Sequence, residues 1–208
     1  MNPRIVPMGP LATNGYFYRT QDLNILFDPG ATTAEMLKVL DDFGEQVDAV
    51  LLTHGHIDHI MGLAGLVQRF AAVPIYLHRA DLPLYQSAGK QAALFGLPFD
   101  PLPENLSLFS NEDSTLLGLQ VLSTPGHSPG SVCFYDPANQ TLFSGDTLFN
   151  YGVGRTDLWG GSWEQLEISI KTKLFTLAHE TRVFSGHGPS TTIGAELKSN
   201  PFVTGLSL

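Results

Sequence analysis

The chain has a single cysteine, Cys133, among its 208 residues, so no intrachain disulfide can form and the fold must hold by packing alone. Cys133 stands between Val132 and Phe134, the setting of a buried strand thiol that behaves as a small hydrophobe. Basic residues are scarce. Eleven Lys and Arg face twenty Asp and Glu, for a net charge of -9, and the basic residues form no run. A nucleic-acid partner needs clustered Lys and Arg along the phosphate backbone, so the composition speaks against that class. Long hydrophobic runs are missing too. No segment approaches the ~20 apolar residues of a membrane span, and the first ten residues lack the apolar stretch of a secretory signal. A soluble, cytoplasmic protein with no membrane partner is expected.

The chain does have enough apolar content, 43%, for one sizeable core, and a single domain over residues 1–208 is expected. Tyr16-Phe17-Tyr18 and Leu23 to Phe27 read as paired strands. Thr32 and Glu35 form a capping box for a helix whose apolar face is Met36, Leu37, Leu40 and Phe43, ended by Gly44. Val47 to Leu52 reads as a buried strand, residues 61–70 as a helix and residues 74–77 as a strand, with a helical segment to about Ser87. Residues 89–103 hold three prolines and two glycines and read as an irregular loop. A β-rich block follows, with strands at 106–109, 119–122, 131–135 and 141–143 and a hairpin turn at 136–139. Ser162 and Gln165 cap a helix through Leu177, and residues 181–184 form the last strand. Hairpins in the middle favour a pair of mixed sheets with helices outside over a doubly wound parallel sheet.

The densest chemistry lies between the strand at 47–52 and the helix at 61–70. There the run Thr53-His54-Gly55-His56-Ile57-Asp58-His59-Ile60 places four ligand-type side chains within six residues. Turns favour Gly, Asn, Asp and Ser rather than His, so a histidine-rich turn of this kind points to metal. Imidazole and carboxylate without thiolate suit zinc, iron or manganese. Three later stretches repeat the logic, each placing a ligand-type residue after a strand and beside Gly: Thr124-Pro125-Gly126-His127, Ser144-Gly145-Asp146 and Ser185-Gly186-His187-Gly188. Seven ligands result: His54, His56, Asp58, His59, His127, Asp146 and His187. One catalytic zinc takes about three protein ligands. Seven therefore suit two divalent metals with a shared carboxylate, and Asp146 is the natural bridge. Zinc leads, with iron or manganese as alternatives. His78 and His179 sit at element ends and read as structural.

Taken in order, Asp28-Pro29-Gly30, the His-x-His-x-Asp-His loop and the three Gly-flanked stretches resemble the landmarks of the metallo-β-lactamase superfamily nearly end to end. The resemblance implies an α+β fold, an αβ/βα sandwich of two mixed β-sheets with helices on the outer faces. It implies that His54, His56 and His127 hold one metal, that Asp58, His59 and His187 hold the other, and that Asp28 orients the ligand loop. β-Lactamases of the best-known subclass carry Cys where Asp146 stands, which speaks against that activity. Residues 145–149 through 154–157 and 186–194 through 200–202 are similar to short bacterial type II glyoxalases, the hydroxyacylglutathione hydrolases. Longer glyoxalases have a C-terminal helical domain that supplies much of the glutathione site. Leu208 is not followed by one, so weak binding of glutathione is expected.

The implied reaction is hydrolysis of a small-molecule thioester, S-lactoylglutathione or a related hydroxyacyl thioester. Its nucleophile is a hydroxide bridging two metals that lower the water pKa to ~7. Asp58 and Asp146 are the catalytic carboxylates, with Asp58 also orienting the nucleophile. The thiolate, with a free pKa of ~8.5, leaves without a strong acid. Arg155 either grips a substrate carboxylate or pairs with Asp157 on the surface. Trp159 and Trp163 line a pocket or pack its base. The rival is an iron-dependent glutathione persulfide dioxygenase, which shares the Gly-Arg-Thr-Asp stretch. A nuclease ranks third because the chain is acidic. Oligomeric state has no signature in the sequence.

Overall fold

A computed structural model describes residues 2–20, 22–44 and 46–204, and the side chain of Phe43, placed above on a helical face, lies outside the described residues. The chain divides into two compact units, Met1–Phe109 and Ser110–Leu208. Each unit is built on one six-stranded mixed sheet.

The first unit's sheet is made of β1 (Arg4–Met8), β2 (Thr13–Arg19), β3 (Asn24–Phe27), β4 (Ala49–Leu51), β5 (Ile75–His78) and β6 (Ser107–Phe109), side by side in that order. The first three are antiparallel and the last four, from β3 on, are parallel. Its helices are α1 (Thr33–Phe43), α2 (Ile57–Ile60), α3 (Leu63–Arg69), α4 (Leu82–Gln86) and α5 (Ala88–Phe95). Parallel strands put their carboxyl ends at one edge. The segments after β3, β4 and β5, which carry Asp28, the His-rich loop and Asp81, therefore share that edge. Thr32 caps α1 by accepting from Glu35 N at 3.3 Å. The second half of the expected capping box is replaced, because the Glu35 carboxylate accepts from Gly9 N instead, at 3.0–3.1 Å.

The second unit's sheet has the order β14-β13-β10-β9-β8-β7. Its strands are β7 (Thr115–Leu116), β8 (Leu119–Ser123), β9 (Val132–Asp136), β10 (Thr141–Gly145), β13 (Arg182–Ser185) and β14 (Thr191–Thr192), with β11 (Leu148–Phe149) and β12 (Gly152–Val153) forming a separate small hairpin. β8, β9 and β10 alternate in direction, and β13 runs parallel to β10. Hence β8, β10 and β13 all point the same way, and the residues that follow them meet at one edge. Helices α6 (Trp163–Ser169) and α7 (Ile193–Ser199) complete the unit. Phe134 and Phe143 are fully buried, each contributing about 1.5–3 kcal/mol by leaving water.

The α+β class with two mixed sheets holds as expected. Two further expectations are corrected. Residues 89–103 are not all loop, because α5 runs from Ala88 to Phe95 and ends at Gly96 with φ 65°. Its Ala, Lys, Gln and Leu are strong helix formers, and the three prolines all lie beyond Gly96. The helix expected through Leu177 keeps α geometry only to Ser169, then passes into a π turn over Ile170–Leu174. Short two-residue strands such as β11 and β12 carry too little alternation to be seen in sequence. Among the described residues, no helix is long and apolar enough to cross a membrane.

Candidate metal centre

In the first unit the ligand loop leaves β4 and enters α2, a single turn that carries Asp58 and His59. His54, His56 and His59 are buried, with the His54 ring 4.8 Å from that of His56 and 4.1 Å from that of His59, centroid to centroid. Rings packed this closely and out of water cannot all be cationic. Asp28 organises them. It is buried in the left-handed region, φ 46°, a conformation sustained only where surroundings impose it. Its Oδ1 accepts from Thr53 N at 2.8 Å, and its Oδ2 accepts from Thr53 Oγ1 at 2.7 Å and faces His59 Nδ1 at 3.0 Å.

These contacts assign the tautomers. His59 Nδ1 must donate to a carboxylate. Thr53 Oγ1 spends its proton on Asp28, so it accepts from His54 Nδ1, 3.0 Å away. Both rings then carry their lone pair on Nε2, the state that a metal requires. Asp58 Oδ2 lies 3.6 Å from His59 Nε2. That is too long for a hydrogen bond. It matches two ligands of one ion, whose bonds of about 2.0–2.2 Å at tetrahedral angles put ligand atoms roughly 3.3–3.6 Å apart.

The second unit repeats the arrangement with main chain as the brace. His127 Nδ1 donates to the carbonyl of Arg155 at 2.7 Å, so its lone pair is again on Nε2. Asp146 Oδ2 lies 3.6 Å from His127 Nε2 and 3.6 Å from His187 Nε2. One carboxylate oxygen thus stands at ligand-to-ligand distance from two imidazoles. The His187 side chain is 30% exposed where Asp146 is 11%, so this is the side on which the ligands meet solvent. Gly154 packs so tightly on Asp146 that a Cβ there would overlap the Asp146 carbonyl oxygen.

Arg155 reaches His127 through its carbonyl, while two of its guanidinium nitrogens turn to Asp157 in a bidentate pair, Nε to Oδ1 and Nη2 to Oδ2, each 2.7 Å. That pair holds the Asp157 carboxyl down to about 2 and pushes the Arg155 guanidinium further up. Trp159 is 61% exposed and Trp163 41%, so neither packs a buried base. His78 caps the turn after β5 by accepting from Ala80 N at 3.3 Å, as a structural histidine should. Four bracing residues escaped sequence reasoning. Asp81 Oδ2 accepts from Gly55 N at 2.8 Å. Gln91 accepts from Ile57 N at 3.0 Å and donates to Gly55 O at 3.2 Å. Thr13 Oγ1 donates to Asp58 at 3.0 Å, and Thr53 links Asp28 to His54. Asp81 follows a strand end as Asp28 does, which was its one available signal.

The model of the metallo-beta-lactamase superfamily matches residues 8–187. Over the full length of both chains, this sequence is 34% identical to a hydroxyacylglutathione hydrolase, GloC, of Haemophilus influenzae. It superposes on TTHA1623 in a di-iron-bound form with a TM-score of 0.90, at 44% identity over 96% of this chain and 99% of that one. A B3 metallo-beta-lactamase, BLEG-1, superposes with a TM-score of 0.85, at 39% identity over 98% of this chain and 100% of the other.

Proposed function

This chain belongs to the metallo-β-lactamase superfamily, and from that premise we propose that it is a binuclear metal-dependent hydrolase of thioesters, with S-lactoylglutathione or a related hydroxyacyl thioester as substrate. The observation that carries the metal reading is the placement of Asp146 Oδ2 at equal distance from two imidazole nitrogens, as a bridging carboxylate would be. Support for the thioester comes from the GloC relative. As the resemblance to the superfamily implies, His54, His56 and His127 would hold one metal and Asp58, His59 and His187 the other, with zinc first and iron, as in the TTHA1623 structure, the alternative. When bound, the metals supply hydroxide at neutral pH and polarise the carbonyl.

The chain's own residues do the rest. Thr13 fixes Asp58, so that its carboxylate can orient the attacking water. Asp28 and the Arg155 carbonyl hold the imidazoles in the liganding tautomer. Two guanidinium nitrogens of Arg155 face Asp157, and we assign the third, Nη1, to a substrate carboxylate. The test loads one preparation with zinc and another with iron. It measures thioester cleavage, β-lactam cleavage and glutathione-persulfide-dependent oxygen uptake on each, alongside metal content. Close to two metals per chain and thioester cleavage are expected. Oxygen uptake without thioester cleavage, at one iron per chain, would replace the hydrolase with the dioxygenase. β-Lactam cleavage alone would move the substrate to that class.

A further inference from the structure

Helix α7 carries no ligand, yet it holds a fully buried carboxylate. Glu196 accepts at Oε1 from Thr191 Oγ1 at 2.6 Å, and at Oε2 from Tyr151 N at 3.0 Å and Asn200 Nδ2 at 2.8 Å. Asn200, buried as well, donates through the same amide to Gly152 O at 3.0 Å. Two tethers, one from α7 and one from the residue that caps its C-terminus, thus end on neighbouring residues at the tip of the β11–β12 hairpin. A buried polar group is costly unless it is hydrogen-bonded, and Glu196 meets that need with three donors, one of them at the hairpin tip.

What it holds is the loop between ligand supports. β11 begins two residues after Asp146, and β12 ends two residues before Arg155, whose carbonyl orients His127. The Phe149 ring stands edge-on to His187, 6.1 Å between centroids at 87°. The far leg touches the near one at Gly154 against Asp146. Any tilt of this hairpin therefore moves the surroundings of His127, Asp146 and His187 together. Tyr151 sits at φ 54°, a region that a bulky residue avoids unless it is held, and its N–H is the one that Glu196 binds.

We propose that Glu196, with Asn200, is a positioning residue for the ligands His127, Asp146 and His187, acting through the β11–β12 hairpin. The inference rests on the metal part of the reading above and not on its substrate. The test is Zn²⁺ affinity of metal-stripped full-length protein, by chelator competition, beside the melting temperature of the stripped protein. Glu196→Ala weakens zinc binding by about tenfold or more, the range for loss of groups that orient ligands. Glu196→Gln, which keeps an acceptor for Tyr151 N, stays near wild type. Adding Tyr151→Gly to Glu196→Ala restores affinity, because glycine takes this φ without a tether.

Unchanged affinity with a lowered melting temperature would show that Glu196 only stitches α7 to the unit, and would overturn the proposal. Failure of the glycine rescue would overturn the route through the hairpin. If Glu196→Ala does not fold, Asn200→Ala removes one of the two tethers and is read the same way, with a smaller loss. Wild type that binds zinc and cleaves no thioester removes the hydrolase reading and leaves this one standing. Wild type that takes up no zinc removes both.

Discussion

The two units brace their ligands by different means. In the first, the braces are side chains: Asp28 holds Thr53 and His59, Asp81 holds Gly55, and Gln91 holds both Gly55 and Ile57. In the second, the direct brace of His127 is a main-chain carbonyl, and Asp146 is wedged by a glycine. A side-chain brace can be deleted by one substitution, whereas a carbonyl stays whatever residue carries it. Deleting the side chain of a directly bracing residue should therefore disturb metal binding in the first unit and spare it at Arg155 in the second, where side-chain support comes indirectly, from Glu196 through the β11–β12 hairpin.

The largest effect tests the limit of that rule, since the ligand itself is a side chain. Asp146→Ala is expected to abolish turnover and to lower metal content below two per chain by elemental analysis. Asp28→Ala comes next. It strands three buried donors, Thr53 N, Thr53 Oγ1 and His59 Nδ1, at roughly 1–3 kcal/mol each before relaxation, and should weaken metal affinity about 10–100-fold. Chemical denaturation and chelator competition check the two parts. Full metal affinity in Asp28→Ala would erase the asymmetry between the units.

Arg155→Ala sharpens the comparison from the other side. The carbonyl that orients His127 survives, so metal content should not change. KM for glutathione thioesters should rise by the factor equivalent to about 1.5–3 kcal/mol for a charged hydrogen bond. A loss of metal would mean that the side chain supports the carbonyl after all, and unchanged kinetics would confine Arg155 to its pair with Asp157. Gln91→Ala, on a helix that the proline count concealed, should cost about 1–3 kcal/mol of stability.

The smallest effect concerns Cys133, whose thiol is pushed up to about 11 by burial. The folded state keeps this proton while the unfolded chain loses it, so the thiol leaves stability flat below pH 9. Stability then falls as pH rises from about 9 towards about 11. Native protein at pH 8 should resist alkylation, and labelling should appear only with denaturant.

Much of the site was legible because the first four ligands fall within six residues. No long-range knowledge is needed to see His54, His56, Asp58 and His59. His127, Asp146 and His187 were legible only as Gly-flanked residues after strands. That they share an edge depends on β8, β10 and β13 running the same way, and strand order is set by pairing that periodicity does not encode. The braces were least visible. Asp81, Gln91 and Thr13 act across 26, 34 and 45 residues of chain, and nothing local marks them. Arg155 drew attention for its charge, yet its contact with His127 uses an atom that every residue has. Glu35 looked like the second half of a capping box and instead reaches Gly9, a choice that only tertiary structure decides.

The turn that joins β9 to β10 has a practical use. Asp136 fastens it by accepting from Ala138 N and Asn139 N at 3.0 and 3.2 Å. It lies at the start of β10, the opposite end of that strand from Asp146. With its own latch and a sheet's height of separation from every ligand in its unit, it is the position at which to insert a fluorophore attachment sequence or an affinity tag. A reporter grafted there would follow the protein without touching the chemistry.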